Sequence, residues 1–421
     1  MTNSVNGTHY LRTTCRGCGG GNLEACLPLG NQPLANSFPK SADEFADEAR
    51  FPLDVYRCRD CSLIQLLDVI APEVLFRDYI YVTGTSDTIA AHNIKYADAV
   101  VSELDLGKDD LVVEVASNDG SLLSCFRDQG VKTLGIEPAR NIAAMARERG
   151  IDPIAEFFSA DLARRVRAER GAASAVVANN VLAHVDDTRD FLAGGKALIG
   201  ENGRVITEFP YLGELLDRME YDTVYHEHLC YFSVIALMKL YESVGLVIVR
   251  IDHMPVHGGS LRVYATHQSA QHSGHAESVQ ALAEEERGKG YHTAAPYEAL
   301  ATAVKANRES LLELLRTLKR EGKTIAAYGA SAKGNTLLNY CGIDTGLVDY
   351  IVDKNPLKVG LYTPGTHLPV KPAAILESET PDYLLITAWN FADEIMRQQA
   401  DYASRGGKFI LPIPKAAVVE S

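Results

Sequence analysis

The segment YHEHL, residues 225–229, places a phenol, two imidazoles and a carboxylate in four successive positions. Such groups are suited to general acid–base chemistry. The spacing excludes a zinc protease motif, because HExxH separates its histidines by one helical turn and here only Glu227 stands between them. In an extended segment His226 points away from its neighbours, so Tyr225, Glu227 and His228 are the candidates for chemistry. The alternative is a solvated turn with hydrogen-bonded histidines.

Four of the eight cysteines form two CxxC pairs, CRGC and CRDC. The two pairs supply four thiolates, which is the ligand set of a structural zinc and leaves no open position for a catalytic water. The surrounding residues, 13–65, show little helical periodicity, so we expect a small module held by metal rather than by a hydrophobic core. The alternative is ordinary reduced cysteines. The predicted ligands are Cys15, Cys18, Cys58 and Cys61.

Composition limits the function. The 421 residues include 41 basic and 55 acidic side chains, and the net charge of −14 argues against a nucleic-acid partner. No segment approaches the ~20 apolar residues that span a bilayer, and the N-terminus has no apolar run typical of a signal peptide. We therefore expect a cytoplasmic α/β protein of about three domains without a membrane partner.

Alternating strand-like and amphipathic segments must position the candidate residues. DLVVEVA, KTLGIE, SAVVANN and GRVITEFP alternate with helical patterns, which predicts a parallel sheet covered by helices. GLVIVRID and LRVYATH predict an antiparallel hairpin at the end of that sheet, an arrangement typical of methyltransferases. A leucine stripe at 311, 312, 315 and 318 indicates a helical connector. The expected domains are a zinc module (1–70), a methyltransferase domain (71–267), a connector (268–322) and a smaller α/β domain (323–421).

The central domain opens with EVASNDGSLL, a strand, a turn and a helix start that suit an adenosine-containing cofactor. GxGxxG is absent, which disfavours a dinucleotide. Glu137 ends the next strand, where an acid binds ribose hydroxyls, and Phe157 and Phe158 could sandwich an adenine. Together these features favour S-adenosylmethionine; the alternative is a helix-capping Glu137 and core phenylalanines. The candidate cofactor residues are Glu114, Ala116, Asn118, Asp119, Gly120, Glu137, Pro138, Phe157, Phe158, Asn179 and Asn180.

The C-terminal domain repeats the strand, turn and helix pattern in YGASAKGNT, residues 328–336. Two uses are open. Ser331 and Lys333, with the nearby glycines, could bind the diphosphate of a substrate, since a lysine beside backbone N–H groups suits an anion. Alternatively the unit is a scaffold that walls the cleft.

Several long stretches carry a family resemblance. They are CRGC, YRCRDCSLIQL, GNQPLANSF, YIYVTGTS, EVASNDGSLL, ANNVLAHV, YHEHLCYFS, HGGSLRVY and YGASAKGNTLLNY. In these the chain resembles, over nearly its whole length, the sugar-nucleotide C-methyltransferases that build branched deoxysugars. The resemblance implies a zinc module, a Rossmann-type methyltransferase domain and a C-terminal α/β domain, with the sugar nucleotide held between them.

The same resemblance implies methylation of a ring carbon beside a ketone, typically carbon 3 of a dTDP-linked 4-keto-6-deoxysugar. It maps functional roles onto Tyr79, His184, Tyr225, Glu227 and His228. Carbon becomes nucleophilic once a neighbouring proton is removed, so a base and donors to an enolate oxygen are needed. Our hypothesis is that His228 removes the proton, with His184 or a water-relayed route as alternatives. Tyr79 and His184 would support the ketone oxygen, and Tyr225 with Glu227 would position the sugar.

Two rival functions remain open at the level of sequence. One is a nicotinamide-dependent sugar-nucleotide oxidoreductase, suggested by the two Rossmann-like halves. The other is an inactive zinc-anchored binding protein with a methyltransferase fold. An acidic chain of several domains that encloses its own cleft could work as a monomer.

Overall fold

The computed structural model describes residues 3–5, 8–76, 87–256, 258–269, 272 and 274–419. They form four sheets, of which two are small and belong to the N-terminal region, and two are large and belong to the central and C-terminal regions. Within the described part of the chain, no helix has the length and apolar character needed to cross a membrane.

The N-terminal region is a pair of small antiparallel sheets. One sheet has the order β1-β2-β6, and in the other β3, β4 and β5 continue into β11 of the central region. Leu27, Val55 and Leu63 are buried in the same hydrophobic core as the central region. The expectation of a module without an apolar core is therefore wrong, because its strands pack against the rest of the chain. The strands are β1 Asn3–Val5, β2 His9–Leu11, β3 Leu23–Pro33, β4 Arg50–Cys58, β5 Ile64–Leu66 and β6 Asp68–Ile70, with a 3-10 turn at Ala42–Asp47.

The central region is the sheet that the sequence predicts. Its order is β12-β13-β10-β9-β7-β8, with β8, β7, β9 and β10 parallel and β13 antiparallel to both neighbours. The terminal hairpin is thus confirmed. The strands are β7 Leu111–Val115, β8 Lys132–Ile136, β9 Ala173–Asn179, β10 Ile199–Pro210, β11 Cys230–Tyr231, β12 Leu246–Met254 and β13 Ser260–His267. The helices are α1 Pro72–Phe76, α2 Asp87–Leu104, α3 Ser121–Asp128, α4 Arg140–Glu148, α5 Ala160–Arg170, α6 Thr188–Leu198, α7 Leu212–Arg218 and α8 Val234–Ser243, with 3-10 turns at Leu182–His184 and Tyr221–Thr223.

Two helices form the connector, α9 Glu277–Gly288 and α10 Ala295–Arg320. The predicted leucine stripe is buried on α10. Glu286 of α9 is also buried, and its carboxylate accepts hydrogen bonds from the backbone N–H groups of Val234 and Ile235 at the start of α8. The connector therefore contributes a polar cap as well as an apolar face to the central region.

The C-terminal region is a second α/β sheet of order β16-β15-β14-β17-β18-β19, parallel except for β19. Its central strand β14 is buried at every residue, as expected for a parallel sheet. The strands are β14 Ile325–Tyr328, β15 Tyr350–Asp353, β16 Val370–Pro372, β17 Tyr383–Ile386, β18 Lys408–Leu411 and β19 Ala417–Val419. The helices are α11 Ala332–Cys341, α12 Ala392–Gln398 and α13 Ala400–Ser404, with 3-10 turns at Ala373–Glu377 and Trp389–Phe391.

Candidate active site

The four cysteines of the CxxC pairs converge in space. Their sulfur atoms all lie within 4.8 Å of one another, with Cys15 to Cys61 at 3.4 Å and Cys18 to Cys58 at 3.6 Å. Four Zn–S bonds of about 2.3 Å at tetrahedral angles place sulfur atoms about 3.8 Å apart. The cluster therefore fits a tetrahedral zinc ion.

Hydrogen-bond donors surround two of these sulfur atoms. The backbone N–H of Gly17 and the side-chain amide of Gln65 donate to Cys15 Sγ at 3.3 and 3.1 Å, and the backbone N–H of Gly20 donates to Cys18 Sγ at 3.4 Å. Donors of this kind stabilise thiolates, which are the form that binds metal. Gln65 lies on β5, so the metal cluster is tied directly to the strand that pairs with β11.

The turn after β7 forms the cofactor cradle. Ala116, Asn118 and Gly120 all have positive φ angles, of 52°, 48° and 75°. The Glu137 carboxylate, at the end of β8, accepts hydrogen bonds from the backbone N–H groups of Asn118 at 2.9 Å and Ala139 at 2.8 Å. Because β7 and β8 are parallel neighbours, their carboxyl ends meet, and Glu137 holds the turn in place from the next strand.

Several polar atoms in this cradle have no hydrogen-bond partner among the described residues. They are Glu114 Oε2, Ser117 Oγ and Asn179 Oδ1, and each is enclosed. Burial raises the pKa of the Glu114 carboxyl well above its usual range, with the neighbouring Asp119 and Glu137 adding to the effect. Buried polar atoms ordinarily find partners, so their clustering at the strand ends fits a polar ligand such as the hydroxyls and amino groups of S-adenosylmethionine.

The remaining cofactor candidates differ in their surroundings. Asp119 is fully buried and lies 3.0 Å from Arg149, and Asn180 has a positive φ of 54° directly after β9. Phe158 packs edge-on against Phe191 at 5.2 Å, and its ring also borders α6. These contacts favour the alternative of a core residue for Phe158, since its half-buried ring already packs against α6. Pro138 and Phe157 are half-buried beside the turn, and their contact with an adenine stays a prediction.

The acid–base residues assemble at the end of β9. The rings of His184 and His228 are 4.7 Å apart, edge to face, and the ring of Tyr225 is 4.0 Å from that of His228. The Tyr225 hydroxyl lies 2.6 Å from His228 Nε2. His228 Nδ1 lies 2.9 Å from the carbonyl oxygen of Thr223. A carbonyl only accepts, so Nδ1 carries the hydrogen, and in the neutral ring Nε2 accepts from the Tyr225 hydroxyl.

His184 differs from His228 in its hydrogen bonding. Its Nδ1 is enclosed and has no hydrogen-bond partner in the described part of the chain. Burial lowers the pKa of His184 to about 4, because the protonated ring would lose its hydration. The imidazole of His184 is therefore neutral at pH 7.

Glu227 reaches the zinc module. Its Oε1 accepts a hydrogen bond of 2.6 Å from the side-chain amide of Asn36. Asn36 was not predicted as a site residue, although it belongs to the GNQPLANSF stretch. A single asparagine carries no chemical signal by itself, and 191 positions separate the two residues.

Backbone pairing fixes the YHEHL segment between two elements. The N–H of Leu229 donates to the carbonyl of Ala183 at 2.7 Å, and the N–H of Leu66 on β5 donates to Leu229 at 3.0 Å. His226 lies with Nε2 3.3 and 3.2 Å from the carbonyls of Phe51 and Pro52 on β4. The expectation that His226 has a structural part agrees with these contacts. Zinc module and acid–base segment are thus one connected unit.

Tyr79 and the C-terminal turn complete the set of predicted site residues. Tyr79 lies outside the described residues. Ser331 caps α11 by accepting from the N–H of Gly334 at 3.0 Å, and Lys333 Nζ lies 3.7 Å from Glu220 Oε2. A capping serine and an ion-paired lysine suit the scaffold alternative. Lys333 Nζ is also enclosed without a hydrogen-bond partner among the described residues, which suits an anion, so both uses of this turn stay predictions.

Comparison with known proteins agrees with this architecture. Three family models match the chain: a zinc binding domain over residues 15–76, a methyltransferase domain over 90–251 and a C-methyltransferase C-terminal domain over 255–414. The C-methyltransferase NovU of Streptomyces niveus is 37% identical over 407 residues, which is 97% of each chain.

Two solved structures match less than half of this chain. Magnesium protoporphyrin IX methyltransferase of Synechocystis PCC 6803 is 15% identical, with a TM-score of 0.32, and the match covers 43% of this chain and 82% of that one. An S-adenosylmethionine-dependent methyltransferase of Clostridium acetobutylicum is 11% identical, with a TM-score of 0.35, and the match covers 44% of this chain and 93% of that one.

The sheet order, the cradle and the matched methyltransferase domain define an S-adenosylmethionine-dependent methyltransferase with a zinc-binding N-terminal region. The nearly full-length relative then fixes the family: the chain belongs to the C-methyltransferases. The predicted enzyme class, cofactor and zinc are confirmed, in place of the oxidoreductase and the inactive binding protein.

Proposed function

We propose that the enzyme methylates a ring carbon, carbon 3, of a dTDP-linked 4-keto-6-deoxysugar through an enolate. The observation that carries the proposal is the Tyr225–His228 pair, in which the Thr223 carbonyl holds the hydrogen on His228 Nδ1 and Nε2 lies 2.6 Å from the phenol oxygen, beside the second imidazole of His184. Such a pair is suited to removing a proton from carbon. When bound, S-adenosylmethionine supplies the electrophilic methyl group.

In this proposal His228 is the final proton acceptor, and the proton reaches it through Tyr225. The Tyr225 oxygen takes the proton from the sugar carbon as its own proton passes to His228 Nε2, 2.6 Å away. The electron pair of the broken C–H bond stays on the sugar as the enolate. The Thr223 carbonyl, which accepts from Nδ1, stabilises the positive charge that develops on the ring.

The other groups position the substrate. A neutral His184 carries one N–H, and the Glu227 backbone already bonds to its ring; with the hydrogen on Nδ1, the enclosed atom without a partner among the described residues, His184 can donate to the ketone oxygen as negative charge develops there. Tyr79 is assigned the same role on the basis of the family resemblance. Glu227, oriented by Asn36, holds a sugar hydroxyl. Cys15, Cys18, Cys58 and Cys61 are the proposed ligands of the structural zinc.

Hydrogen exchange at the sugar carbon tests the proposal. In D2O without methyl donor, wild-type enzyme should incorporate deuterium beside the ketone of its substrate, as followed by NMR. His228→Asn and Tyr225→Phe should each slow exchange by about 100-fold or more, which is typical for loss of a general base. Binding of S-adenosylhomocysteine, measured by calorimetry, should stay unchanged in both variants.

Two results would contradict the assignment. Exchange at the wild-type rate in Tyr225→Phe, with loss in His228→Asn, would mean that His228 takes the proton directly. If a panel of keto-sugar nucleotides showed neither exchange nor methylated product in mass spectrometry, the proposed substrate class would be wrong.

A further inference from the structure

Two lysines of the C-terminal region approach the other parts of the molecule, and their electrostatic surroundings differ. Lys333 Nζ lies 3.7 Å from Glu220 Oε2 and 5.8 Å from the centre of the Trp389 ring. Asp222 is fully buried nearby and is hydrogen-bonded to the Trp389 indole at 2.7 Å. Two buried carboxylates beside it offset the positive charge of Lys333, although its enclosed Nζ has no hydrogen-bond partner among the described residues.

Lys358 has a different environment. It lies in the loop after β15, and its Nζ donates to the carbonyl oxygen of Ala330 at 2.7 Å. The ammonium stands 5.2 Å from the centre of the Phe38 ring. It forms no ion pair with any of the residues that the structure describes. An ammonium has three N–H donors, so the Ala330 carbonyl uses only one of them.

The free-energy cost of a partly desolvated ammonium at Lys358 indicates that an anion binds there. Burial lowers the pKa of its ammonium, and the negative charges of Asp353 and Glu227 oppose this effect. A partly desolvated cation without an ion pair is unfavourable unless an anion contacts it in the working protein. The neighbouring carboxylates favour the charge from a distance and leave the donors of Lys358 available.

The position of Lys358 links it to the acid–base residues. Phe38, under the ammonium, follows Asn36 by two positions, and Asn36 holds the Glu227 carboxylate. Ala330, on the other side, directly precedes the cap of α11. The cation therefore lies where the zinc module, the YHEHL segment and the C-terminal region meet.

We propose that Lys358 binds the diphosphate of the sugar nucleotide, an inference that rests on the proposed function. In such a substrate the diphosphate is joined to the ring through the anomeric oxygen, so a sugar held at Glu227 places its phosphates close by. A lysine suits this task because it contacts phosphate as a compact charge with several donors. Phe38 shields the pair from water and strengthens the contact.

Calorimetry with dTDP and with thymidine tests the assignment. Lys358→Met should weaken dTDP binding about 10- to 100-fold, as expected for the loss of one charge-assisted hydrogen bond, and leave thymidine binding unchanged. Lys358→Arg keeps the charge and should recover part of the loss. The matched control is Lys354→Met in the same loop; Lys354 is exposed and donates to Gln398 at 2.6 Å, so dTDP affinity should not change.

A methylation assay distinguishes failure of the Lys358 assignment from failure of the proposed function. If Lys358→Met binds dTDP as tightly as wild type while wild type methylates the sugar nucleotide, the role of Lys358 is refuted and the proposed function stands. If wild type neither binds dTDP nor methylates any sugar nucleotide, both fail. Weakened dTDP binding in Lys354→Met of the same size as in Lys358→Met would also refute a specific site.

Discussion

The turn after β7 and the turn after β14 occupy the same place in two sheets of similar design, yet they are completed differently. In the central turn, Glu114, Ser117 and Asn179 keep enclosed polar atoms without partners among the described residues. In the C-terminal turn, the Thr387 hydroxyl lies 2.8 and 2.7 Å from the carbonyls of Tyr328 and Gly329 and closes the strand ends, although Lys333 Nζ and Asn335 Oδ1 are also enclosed without hydrogen-bond partners among the described residues.

The difference extends to the helices that follow these turns. Asn335 of α11 donates to the Ala35 carbonyl at 2.7 Å, and the Thr336 hydroxyl donates to the Val224 carbonyl at 3.1 Å. The start of α11 is thus packed against the zinc module and the central region. One supersecondary unit can therefore present a ligand cradle or an internal interface, and the polar partners decide which.

The acids at the ends of β8 and β15 give the largest expected contrast. Glu137→Ala should weaken S-adenosylhomocysteine binding by about 100-fold, because it removes a charged acceptor and the support of the turn. Asp353→Ala is the matched control, since Asp353 ends the corresponding strand and its hydrogen bond among the described residues comes from the backbone N–H of Asn355 at 2.7 Å. In calorimetry, the Asp353→Ala variant should bind S-adenosylhomocysteine as tightly as wild type does. Equal losses in both variants would remove the distinction between the two halves.

Glycine substitutions sharpen the same contrast through stability. Gly329 has a φ of 101°, and an added Cβ would lie 2.7 Å from Ala388 Cβ, so Gly329→Ala should cost about 2 kcal/mol or more. Gly120 has a φ of 75°, and its Cβ would meet the more flexible Ile151 side chain at 3.0 Å, so Gly120→Ala should cost about 1–2 kcal/mol.

Urea unfolding measures these costs, and cofactor titration completes the test. Only Gly120→Ala should also weaken S-adenosylhomocysteine binding. A Gly329→Ala variant that unfolds like wild type but loses the cofactor would reverse the assignment of cradle and interface.

A pH dependence of stability is also expected, and it originates in the central half. Burial lowers the pKa of His184 and of His226 to about 4 each, below the unfolded value of about 6.5. Between these values the unfolded chain binds protons that the folded chain excludes, so the free energy of unfolding should fall as the pH falls, by about 1.4 kcal/mol per pH unit for each histidine.

Urea unfolding between pH 7 and pH 5 measures this slope. His226→Gln keeps a donor toward the carbonyls of β4 and should remove about half of the slope that the two histidines contribute. A variant with the wild-type slope would show that His226 titrates as freely in the folded chain as in the unfolded one.

The sequence was sufficient for features with a local or periodic signal. The sheet of the central region, its terminal hairpin, the leucine stripe of α10 and the two CxxC pairs all appear as predicted. Polar contacts between distant segments were not predictable in this way. The Asn36–Glu227 contact and the position of Lys358 depend on how three regions pack. Neither Asn36 nor Lys358 belongs to a chemical motif of its own.

Phe158 shows the same limit from the other side. Its place after a strand of a cofactor domain suggested an adenine contact, but its ring meets Phe191 and α6. From the sequence, an aromatic residue next to a turn fits an adenine contact and a core position equally well, because the position of the neighbouring helix is not known. The physical reason is that removing an apolar ring from water is favourable whether a ligand or a helix covers it.

The pairing of β5 with β11 carries a consequence for how the enzyme matures. Gln65 contacts a cysteine of the metal cluster and lies on the strand beside Cys230, two residues after His228. We therefore expect a chain lacking its metal to keep the cofactor cradle while the Tyr225–His228 pair of the proposed relay loses its alignment. Such a chain would bind the methyl donor without transferring its methyl group.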